Sequence, residues 1–151
     1  MKLLAIYRCD TTLVFIVEYK EPRGLLISTM EMFSLPLNST KNDIFTAFQE
    51  TILLAGNEEF SLPKSSSEFN NKLIKLCNCR TYKDFVNASS LVKLVLLDKK
   101  CLLIPMQKSK TYVGFEGFNG GQSNELSFDG AIGFEVLDKI LELLAEIQDS
   151  Y

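Results

Sequence analysis

Apolar residues along the chain fall into short dense blocks and longer periodic stretches, and the two textures predict different elements. Lys2 to Arg8 and Thr12 to Tyr19 are rich in Leu, Ile, Val and aromatics and are separated by the polar Cys9-Asp10-Thr11. That pattern predicts two strands closed as a hairpin. Lys20-Glu21-Pro22-Arg23-Gly24 reads as a turn. Leu25 to Leu37 resumes β character, and Pro36, which has no N–H for a ladder, confines it to an edge or a strand end.

The period then changes. Asn38-Ser39-Thr40 offers helix caps, and Ile44, Phe48 and Ile52 recur every four residues, with Phe45 and Leu53 widening the stripe up to Gly56. After Pro63, Ser65-x-x-Glu68 forms a capping box before a second helix whose Phe69, Leu73, Leu76 and Cys77 share a face. Thr81-x-x-Asp84 caps a short third helical turn. Leu91 to Leu97 and Cys101 to Met106 are apolar runs joined by Asp98-Lys99-Lys100 and read as a central hairpin.

Tyr112 to Phe118 and Glu125 to Asp129 bracket Asn119-Gly120-Gly121-Gln122-Ser123 and read as a further hairpin. On a strand, Phe115 would face away from Tyr112 and Phe118, leaving an aromatic exposed. Ala131 to Gln148 is helical again, with Leu137, Ile140, Leu141, Leu144 and Ile147 toward a core. Leu35 to Ser39 and Leu126 to Gly130 each precede an amphipathic helix, an echo of pattern alone. The expected fold is α+β: one domain over residues 1–151 with a mainly antiparallel sheet flanked by three to four helices.

Composition supports a folded domain, since 151 residues at 46% hydrophobic content can bury a proper core. Met1 to Tyr7 begins like a secretory signal, but Arg8, Cys9 and Asp10 interrupt it too early. No run approaches the ~20 apolar residues of a spanning helix. The expectation is a soluble cytoplasmic protein without a membrane partner.

Charge adds a feature that the net value of −3 conceals. Lys64 to Lys110 carries ten bases against Glu68, Asp84 and Asp98, whereas Thr111 to Tyr151 carries eight acids against Lys139 alone. The acidic part has internal order. Glu135, Asp138, Glu142, Glu146 and Asp149 fall three or four residues apart, on one stripe of the last helix. The plain reading is a solvated helix face; the pointed one is a field that steers a basic partner.

The chemistry of catalysis is poorly supplied. Histidine is absent, which removes the commonest general base and every Ser-His or Cys-His nucleophile pair. A carboxylate pair such as Glu116 with Glu125 is the remaining acid–base possibility. The glycines at 114, 117, 120 and 121 match no phosphate-binding motif. Lys72, Lys75, Arg80 and Lys83 match no nucleic-acid motif, so no direct nucleic-acid partner is expected. Cys77 and Cys79 form a C-x-C pair, but Cys9 and Cys101 stand apart in sequence, which argues for free thiols and against a metal site or cofactor. Cys77 and Cys101 read as small buried hydrophobes.

Several blocks resemble the immunity proteins of contact-dependent growth inhibition systems. They are Leu35-Pro36-Leu37-Asn38-Ser39, Thr81-Tyr82-Lys83-Asp84-Phe85, Leu91-Val92-Lys93-Leu94 with Leu102-Leu103-Ile104-Pro105, Tyr112-Val113-Gly114-Phe115-Glu116-Gly117, and the final helix. The resemblance runs from about residue 33 onward. It implies a non-catalytic cytoplasmic protein that binds and blocks the C-terminal toxin domain of a secreted effector, commonly a nuclease acting on RNA. A nuclease cleft is basic, so an inhibitor gains by presenting carboxylates. The expected interface is Glu116, Phe118, Asn119, Glu125 and Asp129 on the glycine-rich hairpin, with Glu135, Asp138 and Glu142 on the helix as alternatives. The competing class is a small-ligand-binding or regulatory domain without catalysis.

Overall fold

The computed structural model of the chain describes residues 1–56, 61–117 and 123–149. Strand β1 (Lys2–Cys9) turns into β2 (Thr12–Lys20), and β3 (Leu26–Pro36) follows. Three helices come next: α1 (Lys41–Ala55), α2 (Ser66–Leu76) and α3 (Tyr82–Ala88). The chain then forms β4 (Ser89–Leu96), β5 (Lys100–Lys108), β6 (Phe115–Gly117), β7 (Asn124–Ser127) and α4 (Phe134–Asp149). The strands make one antiparallel sheet ordered β3-β2-β1-β4-β5, with β6 and β7 both on the outer edge of β5. The α+β class expected from the sequence is the one observed.

Strands β1 and β2 are continuous apolar runs because helices cover both sides of them. Leu4, Ile6, Leu13 and Phe15 face α1 and α4, while Ala5, Tyr7, Val14 and Ile16 face α2 and α3. The pairing the sequence leaves unspecified is β1 with β4, which aligns Leu4 with Leu94 and Ile6 with Val92 and joins the two halves of the chain at mid-sheet. The echoed units occupy matching places. Edge strand β3 leads into α1 and edge strand β7 into α4, and both helices pack on the same face.

Local signals set the helix ends. Thr40, Ser65 and Thr81 each accept a bond from the N–H three residues on, at 3.2, 3.2 and 3.1 Å. At α2 the box closes one residue early, because the Glu68 carboxylate accepts from the Lys64 N–H at 2.7 Å. Thr40→Ala should cost about 1 kcal/mol and lower the unfolding temperature by roughly 2–4 °C, which calorimetry would read directly.

Two expectations from the sequence change. Leu53 is 71% exposed and lies outside the buried stripe of α1, because it falls on the side of the helix turned from Ile44. Cys9 does not stand apart: its sulfur lies 3.7 Å from that of Cys79, since the end of β1 meets the turn after α2. Val136 and Leu143 join Leu137, Ile140, Leu144 and Ile147 on the buried face of α4, while Leu141 is only partly buried at its margin.

Candidate partner-binding surface

The expected hairpin between residues 112–118 and 125–129 is not what forms. β6 and β7 do not pair with each other; each pairs antiparallel with β5. Met106 aligns with Gly117 and Leu103 with Asn124, so only Ile104 and Pro105 of β5 lie between the two pairings. The physical reason is the unpaired edge that a separate hairpin would leave on β5. Pairing with β5 also packs the partly buried Phe115 and Leu126 against the two cores. Phe118 and Asn119 lie outside the described residues.

This register separates the two carboxylates that head the interface expectation. Glu116 stands opposite Gln107 and Glu125 opposite Leu102, positions of opposite parity on β5. Their neighbours agree, because Phe115 packs in the α2/α3 core and Leu126 in the α1/α4 core. Glu116 therefore faces the α1/α4 side and Glu125 the α2/α3 side, and the two cannot work as an acid–base pair. Glu125 also meets Lys100 at 3.0 Å, with both side chains about half exposed. Such a contact stabilises little and locally cancels the carboxylate's field.

The α4 positions are brought together. Glu135, Asp138, Glu142 and Glu146 are all exposed, on the side away from Leu137, Ile140 and Leu144. Two of them have lysine partners: Lys41 reaches Asp138 at 2.8 Å and Lys139 reaches Glu142 at 3.3 Å. Among the described residues no ion pair engages Glu135 or Glu146. Asp129 is exposed in the connection from β7, just before Gly130, whose φ of 75° turns the chain toward α4.

An aromatic that sequence reasoning missed sits in this field. Phe134 opens α4, is 38% exposed, and stacks on Phe45 of α1 with centroids 4.2 Å apart. Lys41 Nζ lies 5.2 Å from its ring centroid. The signal was available, since Phe134 stands four residues before Asp138 and shares its side of the helix. A rigid ring among carboxylates is the composition expected of an interface anchor.

A cleft of about 680 Å³ opens nearby, between the end of α1, the loop after β4 and the β7–α4 connection. Ile52, Leu53, Leu96, Phe128 and Ile132 supply its apolar lining, and Lys2, Gln49 and Asp98 its polar groups. Among the described residues, no group of three or more Cys, Asp or Glu is arranged to hold a metal ion. Nor is any described helix long and apolar enough to cross a membrane.

No protein-family model matches the chain, and no curated protein matches it. Solved structures do. A Neisseria meningitidis protein of unknown function superposes with a TM-score of 0.68 at 12% identity, over 96% of this chain and 93% of that one. A chain of the CdiA-CT/CdiI toxin and immunity complex from Yersinia pseudotuberculosis superposes with a TM-score of 0.66 at 11% identity, over 96% of this chain and 95% of that one. At these identities the likeness is one of fold.

Proposed function

We propose that the chain is an immunity protein of a contact-dependent growth inhibition system. It acts in the cytoplasm and performs no catalysis. It binds the C-terminal toxin domain of its cognate effector, a nuclease of the RNA-cutting kind, and neutralises it by covering the basic active-site cleft. The observation that carries this reading is the end-to-end fold match with a chain of a toxin and immunity complex. The sequence blocks from residue 33 onward support it independently.

Physics favours the α4 face over the edge strand as the docking surface. Glu135, Asp138 and Glu142 share one side of α4 with the exposed Phe134 ring, whereas Glu116 and Glu125 are split across the sheet. A field of one sign accelerates encounter with a basic cleft and weakens with salt.

The test mixes the purified chain with the toxin domain encoded beside it and follows binding and nuclease activity. Tight binding with loss of cleavage is expected. Glu135→Lys with Glu142→Lys should slow association about ten- to a hundredfold at low salt and flatten its salt dependence. Glu116→Lys with Glu125→Lys should change it less. Undiminished cleavage at saturating protein would end the proposal. The cleft beside Ile52 and Phe128 favours a second reading, a small-ligand-binding or regulatory domain without catalysis, because its volume suits a small molecule. A ligand that raises the unfolding temperature of a chain indifferent to the toxin would select it.

A further inference from the structure

Three of the four cysteines converge at one end of the α2/α3 core. Cys9 ends β1, Cys77 caps α2 and Cys79 lies two residues beyond. The C-x-C spacing has a structural purpose. Asn78 adopts a left-handed φ of 54°, its N–H bonds the Lys75 carbonyl at 3.2 Å, and the Cys79 N–H bonds the Ile74 carbonyl at 2.9 Å. This is the Schellman ending of a helix, and it folds Cys79 back over the end of the sheet. There the Cys79 sulfur stands 3.7 Å from the Cys9 sulfur. Cys9 and Cys77 are buried while Cys79 is partly exposed, so one thiol of the group meets solvent and another waits directly behind it.

We propose that Cys79 and Cys9 form a thiol–disulfide exchange site that takes a small-molecule disulfide and converts it into an internal Cys9–Cys79 bond. In the first step the Cys79 sulfur attacks one sulfur of the small disulfide. The reagent's S–S bond breaks, and the departing thiolate takes up the proton that Cys79 releases. In the second step the Cys9 sulfur attacks the Cys79 sulfur of the mixed disulfide. That bond breaks, and the second small thiol leaves with the proton from Cys9. The two protein thiols lose two electrons and two protons, and the reagent gains both.

Access sets this order, since Cys79 is the partly exposed thiol and Cys9 is buried, although burial reduces the thiolate share of Cys79. The neighbouring Cys77 thiol, first among several influences, holds Cys9 down to about 6, while burial pushes Cys79 up to about 11. Hydrogen bonding by Ser89 and Cys79 adds to that lowering, against the burial of Cys9 and the charge of Asp10. Cys9 is thus the readier thiolate for the closing step, and Cys79 the accessible sulfur for the opening one. A disulfide needs about 2.05 Å between sulfurs, so Cys79 has less than ~2 Å to travel, from a partly exposed turn. The closed bond ties the α2–α3 turn to the end of β1.

Reduced protein incubated with oxidised and reduced glutathione at a series of ratios, quenched in acid, alkylated after unfolding and peptide-mapped tests the proposal. A Cys9–Cys79 cross-link should form while Cys77 and Cys101 remain alkylatable, and the oxidised form should unfold roughly 10 °C higher. Cys9→Ser should retain glutathione on Cys79, and Cys77→Ser should still close the bond. Because Cys9 is buried, Cys79→Ser at the partly exposed position gives the second arm and should show neither adduct nor cross-link. A cross-link through Cys77, glutathione settling on Cys9, or four free thiols in oxidised glutathione alone would overturn the inference.

Discussion

Phe48→Ala is expected to be among the most damaging single changes in the chain, costing about 3–5 kcal/mol and lowering the unfolding temperature by roughly 10 °C. Phe48 is fully buried at the centre of α1. Its ring packs 6.0 Å from that of Phe15 on β2 and 6.4 Å from that of Phe45. Truncation removes the transfer free energy of the ring and leaves a cavity between helix and sheet that rigid strands cannot close. Leu53→Ala on the same helix provides the contrast. As an exposed side chain it should move stability by no more than about 0.5 kcal/mol. Urea unfolding of both variants would separate them, and equal losses would contradict the packing described. Phe45 also carries Phe134, so Phe48→Ala should weaken toxin binding even where the protein is folded, if the α4 face is the docking surface.

That contrast shows what periodicity can and cannot decide. Ile44, Phe48 and Ile52 were legible as a buried stripe because steps of four keep side chains on one face. Leu53 comes nine residues after Ile44, about two and a half turns, which already turns it to the opposite side. Its apolar character obscured that geometry. Strands β1 to β5 could be read from composition, yet the pairing of β1 with β4 joins residues some ninety apart, and no local pattern specifies it.

The candidate site was legible to different depths. The α4 carboxylates were readable as one surface, because helical spacing alone determines which residues share it. Glu116 and Glu125 were not, because the face of a strand residue depends on register, and their register comes from β5 rather than from each other. Cys9 and Cys79 are seventy residues apart and meet only through the packing of α2 on the sheet.

The second large effect is expected at Lys93, where replacement by methionine should cost about 2–4 kcal/mol. Lys93 Nζ lies 3.2 Å from Glu18 Oε2, with side-chain exposures of 24% and 4%. Glu18 aligns with Leu3 and Lys93 with Ala5, so the pair reaches over β1 and connects β2 to β4. Ser28 on β3 donates to the same carboxylate oxygen at 3.2 Å. Without the ammonium, the carboxylate stays buried with a single hydroxyl donor, which is the expensive half of breaking an ion pair. Glu18→Gln combined with Lys93→Met should recover most of the loss, because both charges are then gone together. Equal losses in the single and double variants would show that packing by the lysine stem, and not charge, accounts for the cost. The same variants locate the docking surface. The pair lies on the α2/α3 side of the sheet, as does Glu125, whereas α4 lies on the other. Toxin affinity unchanged in the folded double variant, together with the loss expected from Glu135→Lys with Glu142→Lys, would assign recognition to the α4 side. The reverse result would move it across the sheet.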